Sequence, residues 1–270
     1  MTMTPPEAII VVPCYNEAAR LQPATFRSFL EATPGVEMLL VDDGSTDATA
    51  AVLHELAASC PQVRVHMLEH NSGKAEAVRQ GMLQACARNP SFAGYWDADL
   101  AAPLEAIPML MGMLRRQPAL DMVMGSRVQL LGSRIRRSAY RHYLGRVLAT
   151  GAAAALRIPV YDTQCGAKLM RVNERTCSVF ATPFESRWLF DVELLARLLS
   201  AQDGNRVDPQ ARINEMPLPR WTEVPGSKVK MRDGVAALIE LNRIWRAYRE
   251  SRRRWQIDIL ESAHDLAGTR

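Results

Sequence analysis

The sequence has few cysteines, few histidines and no long apolar segment, and each shortage argues against a class of protein. The five cysteines are odd in number and form no CxxC pair, so we expect neither a disulfide framework nor structural zinc, and a reducing cytoplasm fits best. The five histidines lack metal-binding spacing and no GxSxG motif is present, which argues against zinc sites and hydrolase triads. A mid-chain stretch free of charge, residues 147–156, reaches only about 15 Å as a helix, half of a bilayer core. We therefore expect no membrane-spanning segment, and the first residues lack the basic start and cleavage site of a secretory signal.

The positive charge of the chain is concentrated in two segments. Residues 127–146 hold six arginines and no acid, and residues 243–254 hold six arginines and one glutamate, which leaves 21 basic and 28 acidic residues elsewhere. This placement indicates local contacts with phosphate groups or an anionic surface. No basic run is interleaved with the aromatic motif of an RNA-binding sheet, so we expect no nucleic-acid partner. With 270 residues, 48% of them hydrophobic, the chain suits one large domain with at most a small appendage.

The first 125 residues alternate between short apolar runs and segments of helical spacing. The apolar runs are residues 8–12, 37–41, 63–68, 93–96 and 122–125. The helical segments between them are residues 23–32, 47–59, 74–87 and 103–116. We expect Pro23 and Pro103 in first helical turns and Ser45 or Thr46 as the cap of the second helix. The alternation predicts an α/β fold, a mostly parallel sheet covered by helices, with ligands beyond the carboxyl ends of the strands.

The remainder of the chain is less regular. We predict a basic helix over residues 134–156, a polar cluster over residues 162–168 and a helix over residues 187–199. A proline-rich loop follows over residues 208–227, and a last helix is predicted over residues 232–260.

Polar side chains follow three of the predicted strands. Residues 13–17 read PCYNE, residues 42–47 read DDGSTD, and Asp97 and Asp99 follow the fourth apolar run. Acids at i and i+2 of an extended chain point the same way, and a divalent cation with phosphate oxygens is their natural partner. Each cluster alone is also compatible with a plain turn or a helix cap. Residues 71–74 (NSGK) lack the full Walker pattern and more simply form a turn that opens a helix, whose free N–H groups can face a nucleotide.

Taken together, these motifs resemble those of one family. VVPCYNE, VDDGSTD, NSGKAEAVRQGM, YWDADLAAP and MGSR occur here in the order and spacing of family 2 inverting glycosyltransferases with the GT-A fold. DTQCGAKLM, RWLFDVELL and PLPRW…VPGSK are similar to the dolichyl-phosphate β-glucosyltransferase and polyprenyl-phosphate glycosyltransferase branch. The resemblance covers about residues 8–230. It implies residues 1–126 as the nucleotide-sugar half and 127–230 as the acceptor half of a GT-A domain 1–230, with 231–270 as a basic amphipathic helix.

The resemblance implies roles for residues on the donor side. Pro13, Tyr15 and Glu17 would cradle the base and ribose of the nucleotide, together with Asp42 or Asp43. The turn that ends at Lys74 would also face the nucleotide.

Asp97 and Asp99 match the DxD motif of the family. Asp99 would be the firmer ligand of Mg²⁺ or Mn²⁺, and Asp97 would lie close to the ribose or the metal. The cation would bridge the diphosphate of a nucleotide-diphosphate sugar, with UDP-glucose the expected donor.

On the acceptor side, Arg127 and Lys228 would meet the acceptor phosphate or the diphosphate, and Gln164, Lys168 and Asp191 would line the sugar and acceptor region. Arg127 could instead form a surface ion pair, and Asp191 could be an acid on a helix surface.

The acceptor decides which groups the transfer needs. A lipid phosphate is already an anion and needs cations such as Arg136 and Arg137 for positioning. A soluble or glycan hydroxyl would instead need a general base, for which Asp191 is the candidate. A nucleotide-sugar-binding protein without catalysis is a third reading, against which the intact acid pair argues.

Two departures from the family pattern stand out. Its lipid-linked members usually carry a membrane anchor that we do not find here, and DADLAA replaces the common DADG continuation, which affects the metal pocket. The arginines, Trp245, Tyr248 and Trp255 of the last helix suit peripheral contact with an anionic membrane from the cytoplasmic side. The alternative is a solvated helix that docks its apolar stripe on the domain.

Overall fold

A seven-stranded sheet forms the centre of the computed structural model, which describes residues 5–132, 134–136, 139–201, 209–224 and 233–248. Its strands are β1 (Ala8–Cys14), β2 (Val36–Asp42), β3 (Val63–Met67), β4 (Phe92–Trp96), β5 (Met122–Ser126), β7 (Ala167–Arg171) and β8 (Ile213–Pro217). Their order is β3-β2-β1-β4-β7-β5-β8, and β7 alone in this sheet runs antiparallel to its neighbours. β6 (Arg134–Arg136) and β9 (Arg220–Thr222) form a separate parallel pair. The mostly parallel α/β sheet expected from the sequence is confirmed.

Helices cover both faces of the sheet. They are α1 (Pro23–Ala32), α2 (Thr49–Ser59), α3 (Lys74–Ala87), α4 (Ala106–Arg116), α5 (Ala139–Leu156), α6 (Glu174–Ser178), α7 (Phe190–Ser200) and α8 (Asp233–Ala247). Ile10 and Val12 of β1 belong to the core under α1, α2 and α4, whereas Ile9 and Val11 belong to the core on the opposite face. The continuous apolar run of β1 is therefore buried on both faces, as a central parallel strand requires.

Most of the predicted elements are confirmed within a few residues, but some of their boundaries were wrong. The loop predicted over residues 208–227 was also wrong, because β8 and β9 lie within it. Pro23 does begin α1, whereas Pro103 lies before α4. Neither Ser45 nor Thr46 caps α2, which begins at Thr49, because the Ser45 side chain donates to Asp42 instead.

Three predicted helices also differ from the structure at their ends. The basic helix expected from residue 134 begins only at Ala139, because the preceding residues pair with β9. The helix expected from residue 187 begins at Phe190. The last helix is confirmed over Asp233–Ala247, and residues 249–260 lie outside the described part of the chain.

The structure corrects the expectation that the cysteines stay unpaired. Cys86 of α3 and Cys177 of α6 form a disulfide bond, although 91 residues separate them in the sequence. Spacing could not reveal this pair, because the fold alone brings α3 against α6. Cys14, Cys60 and Cys165 are free and buried.

α8 packs its apolar residues on the domain. Ala237 and Ile244 are buried, and Leu241 and Tyr248 are partly buried against the same core as α5 and α7. This contact agrees with the docked alternative for the part of the helix that is described. Across the described residues, every helix is too short or too polar to span a bilayer.

Candidate active site

A cavity of about 510 Å³ opens at the carboxyl ends of β1, β2 and β4. Because parallel strands end at the same edge of a sheet, the polar segments that follow them meet there. The residues predicted from sequence that line the cavity are Pro13, Tyr15, Glu17, Asp43, Lys74, Asp97, Asp99, Arg127 and Gln164. Asp42, Lys168 and Asp191 are at most 3% exposed and lie beneath the lining.

The turn after β1 is held by side chains from the turn after β2. Asn16 has a left-handed backbone (φ 52°), and its N–H donates to Ser45 Oγ at 3.0 Å. The N–H of Glu17 donates to Thr49 Oγ1 at 2.8 Å. The carboxylate of Glu17 accepts from Arg20 Nε at 2.7 Å, and this hydrogen bond raises the pKa of Arg20. Arg20 also lines the cavity, and sequence reasoning missed it because it stands outside the PCYNE motif.

The two acids at the end of β2 point to different environments, as adjacent residues of an extended chain do. Asp43 faces the cavity, and its carboxylate accepts from the N–H groups of Ser72 at 2.7 Å and Gly73 at 2.9 Å. Burial raises the pKa of Asp43 in spite of these two hydrogen bonds. Asp42 is buried, with Oδ1 accepting from the Ser45 N–H at 3.1 Å, whereas Oδ2 has no partner among the described residues.

Asp97 and Asp99 follow β4 and share the cavity with Lys74. Lys74 Nζ lies 2.5 Å from Asp97 Oδ1. Burial lowers the pKa of Lys74, but the negative charges of Asp97, Asp191 and Asp99 outweigh this effect, so the pKa lies above its ordinary value. The pKa of Asp99 is also raised, by burial and then by the charge of Asp97.

Gly166 makes room for the carboxylate of Asp97. A Cβ at position 166 would stand 1.9 Å from Asp97 Oδ2, closer than any real contact. The backbones also touch, because the Asp97 N–H donates to the Gly166 carbonyl at 2.9 Å. Any larger residue at this position would displace the acid, which explains the glycine in the DTQCGAK cluster.

The acid pair fits a divalent cation. Two carboxylates that face one cavity supply the hard oxygen ligands that Mg²⁺ and Mn²⁺ prefer, and Mg²⁺ is commonly bound by one or two carboxylates plus substrate phosphates. Among the described residues, no group of three or more His, Cys, Asp or Glu side chains could hold a metal. The donor set therefore suits a cation that the phosphates of a substrate help to bind.

Lys168 and Asp191 form an ion pair below the cavity. Lys168 Nζ donates to Asp191 Oδ1 at 2.6 Å and to the carbonyls of Thr163 at 3.0 Å and Cys165 at 2.6 Å. The Tyr95 hydroxyl donates to the same Oδ1, and burial together with the charge of Asp191 raises the pKa of Tyr95 well above its ordinary value. Asp191 is thus neither the helix-surface acid of the alternative reading nor a lining residue.

Arg127 is a cavity residue whose charge is already paired. Its Nε and Nη2 donate to the two carboxylate oxygens of Asp162 at 2.6 and 2.7 Å, and its guanidinium lies over the ring of Trp221 at 5.4 Å. Burial opposes the charge of Arg127, but Asp162 outweighs it and raises the pKa of Arg127. Asp162 is buried and Arg127 is partly buried, unlike the surface pair of the alternative reading. Arg127 and Trp221 therefore form a fixed part of the cavity wall.

Further residues that line the cavity were not singled out from the sequence. The Arg146 guanidinium lies 3.9 Å from the ring centroid of Tyr161, and both residues line the cavity together with Trp188. Gln164 also lines it, and its Nε2 is buried without a partner in the described structure. Arg146 ends the arginine-rich segment 127–146, so charge was the signal that could have found it.

The side chains of three predicted acceptor residues lie outside what the structure describes. Arg136 lies in β6, next to β9, and its side chain is outside what the structure describes. Arg137 and Lys228 lie outside the described residues.

Known proteins provide relatives of this chain. The model of the family named Glycosyl transferase family 2 matches residues 9–174. The dolichyl-phosphate β-glucosyltransferase of Drosophila melanogaster is 33% identical over 239 residues, which cover 83% of this chain and 69% of that protein. The enzyme of the same name from Saccharomyces cerevisiae is 30% identical over 244 residues, which cover 82% of this chain and 69% of the relative.

Solved structures agree on the fold. Glucosyl-3-phosphoglycerate synthase from Mycobacterium tuberculosis, in complex with Mn²⁺, UDP and glucosyl-3-phosphoglycerate, superposes with a TM-score of 0.64 at 21% identity, covering 92% of this chain and 80% of that one. This likeness confirms the GT-A fold. The chain therefore belongs to glycosyl transferase family 2 and is a glycosyltransferase.

Proposed function

We propose that the protein transfers glucose, with inversion, from UDP-glucose to a polyprenyl-phosphate or dolichyl-phosphate acceptor. The observation that carries the proposal is that one cavity is lined both by the acids Asp97 and Asp99 and by arginines and aromatic rings, among them Arg127, Arg146 and Trp221. The relatives named dolichyl-phosphate β-glucosyltransferase and the fold relative solved with Mn²⁺ and UDP support this donor, cation and acceptor.

The donor would bind at the end formed by the turns after β1, β2 and β4. Tyr15, Glu17 and Asp43 supply an aromatic ring and hydrogen-bond acceptors for the base and ribose, beside Pro13. Asp42 is buried beneath this region and would not contact the nucleotide as directly, although its Oδ2, which has no partner among the described residues, could accept a hydrogen bond there. Asp97 and Asp99 would hold Mg²⁺ or Mn²⁺, which supplies positive charge to the departing diphosphate.

The residues of the chain would then act by position and charge. Lys74 starts α3, so its ammonium and the free N–H groups of the helix start can meet the diphosphate. An acceptor phosphate oxygen attacks the anomeric carbon as the bond to the diphosphate breaks, and the electron pair leaves with UDP. Arg127 and Arg146 line the side from which this anion would approach.

The position of Asp191 supports an acceptor that is already an anion. A general base must reach the proton that it removes, but this carboxylate lies beneath the cavity, bound to Lys168 and Tyr95. A phosphate acceptor needs little help from a base. A hydroxyl acceptor remains the second candidate, whereas membership of a glycosyltransferase family argues against a protein that only binds nucleotide sugars.

We further propose that residues 1–230 form the GT-A domain, with a donor half (1–126) and an acceptor half (127–230), and that residues 231–270 form a C-terminal segment. Peripheral membrane contact through that segment would use its exposed face, where Trp245 is 38% exposed, because the opposite face packs on the domain. The cytoplasmic location stays a prediction.

The proposal is tested by measuring sugar transfer from radiolabelled UDP-glucose, UDP-N-acetylglucosamine and GDP-mannose, with Mg²⁺ or Mn²⁺, to polyprenyl phosphate or the matching polyprenol. We expect transfer from UDP-glucose to the phosphate and none to the alcohol. Transfer to the alcohol alone would establish the hydroxyl alternative. Absence of transfer and of nucleoside diphosphate release with every donor would contradict the proposal.

A paired substitution tests the cationic positioning of the acceptor. Arg136→Ala with Arg137→Ala should reduce transfer to lipid phosphate at least tenfold and leave UDP binding unchanged, because these arginines belong to the acceptor half. The matched control is Arg115→Ala with Arg116→Ala, adjacent arginines at the end of α4. Undiminished turnover in the first variant would remove these arginines from the acceptor site.

A further inference from the structure

Two adjacent leucines project from the loop that joins β5 to β6. The side chain of Leu131 is fully exposed, at 106% of its reference value, and Leu130 is 52% exposed. Gly132 has a positive φ of 89° and turns the chain back toward β6. Single exposed apolar residues are normal on protein surfaces, but an adjacent pair at the tip of a turn forms an apolar projection that water does not favour.

The segment of the sequence that contains this tip carries charge of one sign, although Arg127 at its start is paired with Asp162. Residues 127–146 contain six arginines and no acid, and Arg134 is exposed three residues beyond Leu131. Apolar side chains flanked by arginines match a bilayer surface that has anionic headgroups, where the leucines enter the acyl region and the guanidinium groups stay among the phosphates.

The tip also adjoins the acceptor end of the cavity. Arg127 lines the cavity and precedes Leu131 by four residues, a distance of at most about 14 Å along an extended chain. On the other side of the tip, Ile135 of β6 pairs with Trp221 of β9, which also lines the cavity. Contact between the tip and a bilayer would therefore bring this end of the cavity close to the headgroups.

We propose that Leu130 and Leu131 form an insertion tip that docks the protein on an anionic lipid bilayer, with Arg134 contacting the headgroup phosphates. The inference rests on the proposed function only for the location of the acceptor, since docking itself needs no substrate. The tip is distinct from the C-terminal segment, because it belongs to the β5–β6 loop.

Vesicle flotation of the full chain tests the docking, with mixed phosphatidylglycerol and phosphatidylcholine vesicles, or phosphatidylcholine alone, and no acceptor. We expect the wild-type protein to float with the anionic vesicles, and Leu130→Ser with Leu131→Ser to bind them at least tenfold more weakly. The control is Met67→Ser with Met109→Ser, which removes exposed apolar side chains from β3 and α4. It should bind as the wild type does.

Several results would overturn the proposal. The first is a wild-type protein that does not float, and the second is a tip variant that floats as well as the wild type. The third is a wild-type dimer in sedimentation velocity that is lost in the tip variant while flotation is unchanged. Leu131→Trp adds an independent measurement, because its fluorescence should be quenched by bromine placed on the lipid acyl chains. Quenching no greater than that of the wild-type tryptophans would also contradict insertion.

Activity separates this inference from the proposed function. With a short, water-soluble prenyl phosphate the tip variant should turn over within about twofold of the wild type, whereas with a long-chain acceptor in vesicles its rate should fall about tenfold. If no prenyl phosphate is glucosylated by any variant, the proposed function fails while flotation still decides the docking.

Discussion

Lys168 Nζ and Asp191 Oδ1 lie 2.6 Å apart inside the protein, with their side chains 0% and 4% exposed. Lys168 belongs to β7 and Asp191 to the first turn of α7, so the pair joins the sheet to the helix below the cavity. The same ammonium holds the carbonyls of Thr163 and Cys165, which fixes the loop that ends at Gly166. One buried cation thus orients both α7 and the loop against which Asp97 packs.

Lys168→Met should reduce the free energy of unfolding by about 3–5 kcal/mol, because it leaves a buried carboxylate without its counter-ion. Urea unfolding measures this change. Lys168→Met combined with Asp191→Asn should recover a large part of the loss, since the unpaired charge is then gone. If the changes in the free energy of unfolding from the two single substitutions simply add in the double variant, the residues are not coupled.

Gly166→Ala should lower kcat about 10–100-fold while the protein stays folded, because the new methyl group displaces the carboxylate of Asp97. The matched control is Gly112→Ala in α4, where a Cβ would meet only the flexible end of Arg116. Steady-state kinetics and thermal unfolding of both variants separate the effects. Normal kcat in Gly166→Ala would mean that the position of Asp97 does not matter for turnover.

Leu100 occupies the position at which the family pattern has glycine, and it has a left-handed backbone with φ 54°. Leu100→Gly should therefore be more stable than Leu100→Ala by about 1 kcal/mol, because both variants lose the leucine side chain beyond Cβ and only glycine relieves the left-handed backbone. At Ala58, on the exposed side of α2, Ala58→Gly should cost about 1 kcal/mol. Urea unfolding of the three variants checks whether glycine is favoured over alanine at position 100 and disfavoured at position 58. An alanine variant at position 100 as stable as the glycine variant would contradict this prediction.

The pH dependence of cation-assisted UDP binding should depend on Lys74. Burial and Asp97 raise the pKa of Asp99, whereas the positive charge of Lys74 lowers it. Lys74→Met should thus raise the pKa of Asp99 further. Since only the ionised carboxylate binds the cation, binding is lost as the pH falls through this pKa, and the loss should occur at a higher pH in the variant.

Titration calorimetry with UDP and Mn²⁺ across a series of pH values measures this shift. As the control, Arg27→Met removes a positive charge from α1 and should not change the pH at which binding is lost. If UDP and Mn²⁺ binding is lost at the same pH in Lys74→Met as in the wild type, then either Asp99 does not bind the cation or the charge of Lys74 does not act on Asp99.

The sheet was predictable from sequence because its signals are local. The run AIIVV predicts a strand buried on both faces, and β1 has its residues alternating between the two cores. Six of the nine predicted residues that line the cavity come from the motifs that follow β1, β2 and β4, since parallel strands end at one edge.

Features that depend on contacts distant in sequence were not predictable in the same way. The sequence predicts a helix that includes Arg134–Arg136, but these residues form a strand because β9 supplies its partner. Asp162 was not singled out, although it holds Arg127, and no local pattern pairs residues 35 positions apart. The choice between Asp42 and Asp43 also needed the structure, because only the tertiary fold shows which of the two faces the cavity.

Binding of UDP in the presence and absence of Mn²⁺, measured by titration calorimetry, tests most directly whether Asp97 and Asp99 hold a cation with the diphosphate. The wild-type protein and the control Glu31→Ala, an exposed acid of α1, should bind UDP at least tenfold more tightly with Mn²⁺ than without it. Asp99→Ala should remain folded and lose this gain. Equal Mn²⁺-dependent affinity in Asp99→Ala and the wild type would contradict the assignment of the acid pair.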